Sequence, residues 1–276
     1  MVTKTKLLKP KIDVVFYSLF KIGNEEITKA IISAVTKEKI EKINLNNDRY
    51  IIGKYPEEKL GILDLRATLN DGVICNIEIQ LADNKDTAER FLYYWSRIYS
   101  SQLIKGDRYE KLNKVIGIVI IDYDFEKTKE IEELSTKWKI KEVTTRAELE
   151  LTDALELNII EIPKEREILK KQPENKLAQW MLFLNDPNEE EVSEIMKNNE
   201  EIKEAMKELE EISNNDELRR VAELREKAIK DEKNVIYHAR KEGKIDVARK
   251  MIEKGIEIDT ICELTELTKE EVLKLK

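Results

Sequence analysis

The chain of 276 residues is long enough for one large domain or two smaller ones, and its 41% hydrophobic content can form a sizeable core. Charged residues make up 38%, and there are only 8 glycines and 5 prolines, which excludes a collagen-like or Gly/Pro-rich disordered chain. The net charge of −8 is unevenly divided: residues 1–125 carry 20 basic and 18 acidic side chains, whereas residues 126–276 carry 29 and 39.

Targeting and membrane signals are missing from the sequence. No apolar run approaches the roughly 18 residues that a membrane span needs. No apolar stretch follows the N-terminal lysines as it would in a secretory signal. We therefore expect a cytoplasmic protein that does not associate with a membrane.

Cysteine and histidine are too scarce for several kinds of site. Cys75 and Cys262 are far apart in sequence, and His238 is the single histidine. A disulfide framework, a cysteine-rich zinc site and a paired-histidine zinc site are therefore excluded. The chemistry is expected to come from carboxylates, lysines and arginines.

Two charged segments bear on nucleic-acid binding. Lys4, Lys6, Lys9 and Lys11 form a short basic arm, which suits either phosphate contacts or a solvated terminus. Residues 186–217 contain thirteen acidic residues against three lysines. That segment is a poor nucleic-acid surface and is expected to be an acidic helical connector.

The first 162 residues mix helical and strand patterns. Apolar spacing predicts two helices between Asp13 and Val35, broken near Gly23, and one amphipathic helix from Asp86 to Ile104. Alternating or β-branched segments predict six strands: Ile43 to Asn46, Tyr50 to Tyr55, Gly61 to Leu69, Val73 to Leu81, Lys114 to Ile121 and Leu155 to Ile162.

Beyond Pro173 the sequence predicts helix almost throughout, beginning with a short helix from Lys176 to Leu184. The tail has three short helical pieces, and Thr268 with Glu271 forms a capping box before the last of them. The predicted organisation is a domain over residues 1–185, an acidic helical connector over 186–242 and a helix-turn-helix-like tail over 243–276.

The most informative local pattern is the hairpin around Asn70-Asp71-Gly72. A three-residue turn with Gly72 in the left-handed region pairs residues whose numbers sum to 142. One face of the hairpin is then wholly apolar, whereas a two-residue turn would mix apolar and polar residues on both faces. The three-residue register is therefore predicted.

In this register Asp64 and Glu78 are direct cross-strand neighbours, where like charges destabilise a sheet. A divalent cation such as Mg²⁺, which prefers carboxylate oxygens, would offset the repulsion. Alternatively, Arg66 or a lysine neutralises the pair on a solvated face. The pattern by itself leaves both interpretations open.

An ordered set of short motifs resembles the Rpn family of recombination-promoting nucleases, which are transposase-like members of the PD-(D/E)XK superfamily. The resemblance covers roughly residues 8–185, with a similar tail after Gly243. The motifs are Lys11-Ile-Asp13-Val-Val-Phe16, Leu63-Asp64, Asp71-Gly72, Asn76-Ile-Glu78-Ile-Gln80, Arg90-Phe-Leu-Tyr93-Tyr94-Trp95 and Gly106-Asp-Arg-Tyr109.

This resemblance implies an α/β fold, with a PD-(D/E)XK nuclease-like core of a mixed central sheet flanked by helices, followed by a helical C-terminal region. It further implies that Asp64 and Glu78 hold a catalytic Mg²⁺ or another divalent cation. Asp13 would be an added acidic ligand or a water-positioning group.

One departure from the superfamily pattern is that Gln80 replaces its lysine. A neutral amide can orient water but cannot stabilise developing negative charge as a cation does. Arg90 is the first candidate to supply that charge and Lys11 the second. The alternative for Arg90 is a simple ion pair with Asp86, one helical turn earlier.

The helix after the hairpin carries several aromatic residues that suit either base stacking or core packing. A stripe of Leu92, Trp95, Tyr99 and Leu103 is expected to cover the apolar face of the hairpin. Lys11, Tyr94 and Arg97 are the candidate DNA contacts.

The leading functional hypothesis is a metal-dependent DNA endonuclease that hydrolyses phosphodiester bonds and promotes recombination or DNA mobility. DNA is then the expected partner, and a homo-oligomer is left open. The alternatives are a nuclease-like DNA-binding protein with little or no activity and a helical interaction module.

Overall fold

A computed structural model describes residues 6–46, 51–52, 61–62, 65–83, 85–145 and 147–275. The chain divides into two compact units, Met1–Arg225 and Glu226–Lys276. In the part of the chain that is described, no helix is both long and apolar enough to cross a bilayer.

The first unit is built on a mixed six-stranded sheet with the strand order β1-β4-β5-β6-β8-β7. Strands β5, β6 and β8 are parallel to one another, whereas β1, β4 and β7 run antiparallel to their neighbours. A separate two-stranded sheet pairs β2 with β3. The strands are β1 (Ile43–Asn46), β2 (Ile51–Ile52), β3 (Gly61–Ile62), β4 (Leu65–Leu69), β5 (Ile74–Gln80), β6 (Val115–Ile121), β7 (Ser135–Trp138) and β8 (Leu155–Glu161).

Helices pack against the sheet in the first unit and predominate in the C-terminal half of the described chain. They are α1 (Asp13–Leu19), α2 (Glu25–Thr36), α3 (Thr87–Ser100), α4 (Glu165–Lys171), α5 (Lys176–Asn185), α6 (Glu190–Ile195), α7 (Glu200–Ser213), α8 (Asp216–Glu253), α9 (Ile258–Thr265) and α10 (Lys269–Leu273). The predicted α/β class, with a mixed sheet and a helical C-terminal region, is confirmed.

Sequence patterning missed strand β7. Its four residues are half-buried or exposed and lie at the edge of the sheet, paired only with β8. β6 was recognisable because both of its faces are buried and its residues are therefore apolar. An edge strand is partly exposed to solvent and can carry polar residues, so it lacks that pattern. The fully buried pattern of β6 itself was predicted and is confirmed.

The predicted hairpin register is confirmed where residues 65–68 pair with residues 74–77. Leu65 pairs with Ile77 and Thr68 with Ile74, so that the residue numbers sum to 142. Gly72 closes the three-residue turn with φ +82°, a left-handed conformation that glycine adopts without strain. Ile62, predicted opposite Gln80, pairs with Ile51 in the separate two-stranded sheet.

The predicted packing of α3 is wrong in the face that it covers and in part of its stripe, since Trp95 and Tyr99 do pack against the core but Leu92 does not. Phe91, Tyr94 and Ile98 are buried, whereas Leu92 is 50% exposed. Tyr94 and Ile98 pack against Ile74, whose side chain lies on the same strand face as Glu78 and Gln80. The helix therefore covers the polar face of the hairpin, where Ile74 and neighbouring residues of β6 supply the apolar contact surface.

Close approach of α3 to the sheet depends on Gly117 in β6. A Cβ atom at this position would lie 2.9 Å from the ring of Phe91. Because that distance is too short for a carbon–carbon contact, the missing side chain makes room for the ring in the core beneath α3.

The segment after α5 belongs to the first compact unit as far as Arg225, beyond the predicted limit of 185. Ile202, Met206 and Leu209 of α7 are buried, and this helix packs against α1 and α2. Its acidic side chains occupy the opposite, exposed face, as expected for an amphipathic helix.

The second unit contains the last part of α8 together with α9 and α10. Its core is formed by Ala248, Ile261, Leu267 and Val272. The predicted capping box is confirmed, with reciprocal hydrogen bonds between Thr268 and Glu271 at the start of α10. The first of the three predicted tail helices is the end of the 38-residue helix α8 and does not begin at Gly243.

Candidate active site

The candidate site lies at the carboxyl end of β5, where Glu78 and Gln80 are 2% and 7% exposed. The Nε2 group of Gln80 faces Glu78 Oε2 at 3.5 Å. Since α3 covers this face, the predicted alternative of a solvated carboxylate face is wrong at Glu78. Asp64 lies outside the described residues, so its pairing with Glu78 stays a prediction.

Gln80 belongs to a chain of hydrogen bonds that sequence patterning missed. Tyr123 donates its hydroxyl to Gln80 Oε1 at 3.1 Å. The Tyr123 hydroxyl lies 2.6 Å from the hydroxyl of Thr87, which is the first residue of α3 and 2% exposed. The orientation of the Gln80 amide is therefore coupled to the start of the helix that covers it.

Arg90 projects from α3 into the same region. Its guanidinium carbon lies 5.9 Å from the centre of the Tyr94 ring, within the range of a cation–π contact. Its Nε is buried and has no hydrogen-bond partner among the residues that the structure describes. The predicted alternative, an ion pair with Asp86, is not seen there; only the backbone N–H of Arg90 donates to the Asp86 carbonyl, at 2.9 Å.

Tyr94 is close enough to Arg90 and to Glu78 for both charges to affect its pKa. Burial raises the pKa of Tyr94, the Arg90 charge lowers it, and the negative charge of Glu78 raises it. Tyr94 is only 6% exposed and belongs to the core beneath α3. Its ring therefore supports the Arg90 guanidinium from inside the protein.

Lys11 approaches the same edge of the sheet from the N-terminal segment. Its Nζ donates to Asp122 Oδ2 at 3.0 Å and to Asn185 Oδ1 at 2.7 Å. Asp122 directly follows β6, and its backbone N–H donates to the carbonyl oxygen of Gln80 at 2.9 Å. The ammonium group of Lys11 is thus close to the end of β5, but a carboxylate already neutralises it.

Asp13 is the predicted site residue with the least direct link to Glu78. Its Oδ2 lies 3.7 Å from Nε of Arg225, and its Oδ1 is buried without a hydrogen-bond partner in the described part of the chain. No contact of Asp13 with Glu78 or Gln80 is seen among the described residues. A buried carboxylate oxygen with spare acceptor capacity is nevertheless suited to a cation or a water molecule.

Carboxylate oxygen is the right ligand chemistry for a hard divalent cation, and Glu78 supplies it in a site with little solvent. Over the residues that the structure describes, no group of three His, Cys, Asp or Glu side chains is close enough to hold a metal ion. Of the predicted ligands, the structure therefore places Glu78 at this site, and the contribution of Asp64 stays a prediction.

Two of the residues that sequence analysis missed share one signal. Asp122 and Tyr123 directly follow the buried parallel strand β6, and in such sheets the functional groups gather at the carboxyl ends of the strands. That rule could have identified both residues. Thr87 and Asn185 carry no comparable signal, because only the packing of α3 and α5 brings them to this edge.

A mixed sheet whose central hairpin ends in Glu78 and Gln80, with parallel strands beyond it and a helix above, defines an α/β protein of the PD-(D/E)XK nuclease class. The chain belongs to the PD-(D/E)XK nuclease family transposase group, whose family model matches residues 10–239. Residues 241–276 match the C-terminal HTH domain of the Rpn/YhgA-like nuclease family. The predicted family resemblance is confirmed.

No curated protein and no solved structure matches the chain.

Proposed function

We propose that the protein is a metal-dependent DNA endonuclease that hydrolyses phosphodiester bonds. The observation that carries this proposal is the buried pair of Glu78 and Gln80 at the end of β5, beside an arginine that has no ion pair among the described residues. Family membership supports nuclease chemistry, and the HTH match supports DNA as the partner.

In this proposal Glu78 and Asp64 hold Mg²⁺ or another divalent cation, and Asp13 adds an acidic ligand or positions a water molecule. A divalent cation held by these carboxylates would supply activation of a water molecule for attack. Gln80 would orient the attacking water through its amide. The low exposure of Glu78 keeps its charge in a medium where electrostatic interactions are strong.

Arg90 is the proposed source of the positive charge that the superfamily's lysine would provide. Its Nε has no hydrogen-bond partner in the described part of the chain, and its guanidinium lies against the Tyr94 ring. Lys11 is less suited, because the carboxylate of Asp122 at 3.0 Å already offsets its charge. A phosphate oxygen that gains charge during cleavage is stabilised best by a cation that is not already neutralised.

Lys11, Tyr94 and Arg97 remain the proposed DNA contacts of the first unit. Tyr94 is 6% exposed, so its ring face is not available for stacking on a base. Promotion of recombination or DNA mobility, a cytoplasmic location and assembly into a homo-oligomer also stay predictions.

The test is nicking of supercoiled plasmid by the full chain in Mg²⁺, Mn²⁺ or Ca²⁺. We expect cleavage in Mg²⁺ or Mn²⁺ and loss of cleavage in Asp64→Ala. Absence of cleavage in every metal, or full activity of a folded Asp64→Ala variant, would contradict the proposal.

A second candidate is a nuclease-like DNA-binding protein with little activity. It is favoured by the neutral Gln80 at the lysine position and by the neutralisation of Lys11 by Asp122. Binding of labelled duplex DNA in EDTA, together with no cleavage in any metal, is its signature. A chain that neither binds nor cuts DNA would instead be an interaction module.

A further inference from the structure

Three side chains, Thr87, Tyr123 and Gln80, form a hydrogen-bonded chain that ends at the Glu78 carboxylate. The successive separations are 2.6 Å, 3.1 Å and 3.5 Å. The three carry no net charge and come from α3, from the residues after β6 and from β5. No single stretch of sequence therefore contains this arrangement.

The hydrogen bonds of this chain run in one direction. Gln80 presents its NH₂ group to Oε2 of Glu78, which accepts the hydrogen bond. Its carbonyl oxygen then faces Tyr123 and accepts that residue's hydroxyl proton. Tyr123 has thereby used its only proton, so Thr87 must donate to the tyrosine oxygen.

The protonation state of Tyr123 agrees with this direction. Burial raises the pKa of the Tyr123 phenol, and only a protonated phenol can donate to Gln80. The hydrogen bond with Thr87 lowers the pKa of Tyr123, as expected when the tyrosine oxygen accepts the threonine proton. Donors aligned in one direction also polarise one another.

We propose that Tyr123 is a positioning residue that fixes the Gln80 amide with its NH₂ group toward Glu78. Without the tyrosine hydroxyl, the amide can rotate and turn its carbonyl oxygen toward the carboxylate. Gln80 would then no longer hold a water molecule in a constant orientation beside Glu78. This inference rests on the proposed nuclease function for its catalytic consequence, but the orientation itself can be measured without DNA or metal.

The first measurement is NMR of the full chain labelled with ¹⁵N-glutamine, of which there are four residues. The NH₂ signals of Gln80 are assigned by their loss in Gln80→Ala. In Tyr123→Phe these signals should shift, and their exchange with solvent should accelerate about 2- to 10-fold, the effect of losing one hydrogen bond.

Tyr99→Phe is the matched control for that measurement. Tyr99 stacks on Trp95, and its hydroxyl makes no hydrogen bond to any residue that the structure describes. This variant should leave the Gln80 signals unchanged. Unaltered Gln80 shifts and exchange in Tyr123→Phe would overturn the proposal.

The second measurement is single-turnover plasmid cleavage at saturating DNA. Tyr123→Phe should lower the rate about 10- to 100-fold, as loss of a residue that orients a site group does, with the KM for DNA unchanged. Thr87→Val should act in the same direction and Thr87→Ser should restore the rate. In a Gln80→Ala background, Tyr123→Phe should have no further effect, because the residue acts through Gln80.

Independent, additive losses in the double variant would overturn the proposal, since Tyr123 would then act without Gln80. If the wild-type chain does not cut DNA, the proposed nuclease function fails, and the NMR comparison of Tyr123→Phe with Tyr99→Phe alone decides whether Tyr123 positions Gln80. The two failures are therefore distinguishable.

Discussion

Two buried glutamates of the central sheet, Glu78 and Glu156, have different surroundings. Glu156 is 1% exposed and accepts from Lys114 at 2.7 Å, Lys137 at 2.9 Å and Asn158 at 3.1 Å. Glu78 is 2% exposed and faces the Gln80 amide, with Arg90 and Tyr94 nearby. Burial alone therefore does not distinguish a structural carboxylate from a candidate catalytic one.

The hydrogen-bond partners of the two carboxylates distinguish the structural one, Glu156, from the candidate catalytic one, Glu78. Burial alone would raise the pKa of Glu156, but hydrogen bonds from the two lysines and Asn158 outweigh it and lower the pKa to about 2. The two lysines link Glu156 of β8 to β7 and to the start of β6, which is a structural role. The Gln80 amide is instead held by Tyr123 and Thr87, which suits a site prepared for a further ligand.

Glu78→Gln should have the largest effect, reducing cleavage to the assay background because a neutral amide replaces a metal-binding carboxylate. Its melting temperature without metal should stay the same or rise, since the predicted repulsion with Asp64 is removed. Glu89→Gln, on the exposed face of α3, is the matched control and should cut normally. A melting temperature several degrees lower with cleavage intact would make Glu78 a structural residue like Glu156.

Arg90→Ala should lower the single-turnover rate at saturating DNA about 10²- to 10³-fold, or roughly 2.7–4 kcal/mol, the usual effect of losing one transition-state contact. Arg90→Lys should retain part of the rate, and Gln80→Ala should be milder than Arg90→Ala. Arg108→Ala changes an exposed arginine and should have little effect on this rate. An unchanged rate in Arg90→Ala would transfer the role to Lys11 or to a second metal ion.

Glu156→Gln should lower the free energy of unfolding by about 3 kcal/mol and leave the cleavage rate of the folded protein unchanged. Removing one member of a buried ion pair costs about 3–5 kcal/mol. The lower end applies because the Lys114 and Lys137 side chains are 20% and 40% exposed and can turn toward water. Urea unfolding measures the effect, with Glu110→Gln on the surface as the control; a loss below 0.5 kcal/mol would contradict the prediction.

Lowering the pH from 7 to 4 should produce the smallest of these effects, a decrease in the free energy of unfolding. The pKa of Glu156 is about 2 in the folded protein and 4.5 without its partners, so its contribution to stability is complete above pH 4.5 and lost as pH falls toward 2. By pH 4 the loss should be about 1 kcal/mol. Urea unfolding at pH 7 and pH 4 should show that this part of the pH dependence disappears in Glu156→Gln. Equal pH dependence in both proteins would exclude Glu156 as its source.

Local patterns predicted much of the candidate site. The hairpin register followed from the spacing of apolar residues on both sides of Asn70-Asp71-Gly72, because a shift of one residue moves every side chain to the other face. The same spacing placed Glu78 and Gln80 on one face of β5. The packing of α3 could not be predicted, since both stripes of that helix carry aromatic residues.

The sequence by itself therefore determined the family, the hairpin and the placement of Glu78 and Gln80 on one strand face, because these depend on residues close together along the chain. Only the tertiary structure decided that α3 covers that face, that Asp122 neutralises Lys11 and that Tyr123 holds Gln80. Each of these contacts joins residues tens to more than a hundred positions apart. The packing of whole helices and strands determines which residues meet, and the spacing of residues along a short segment cannot predict it.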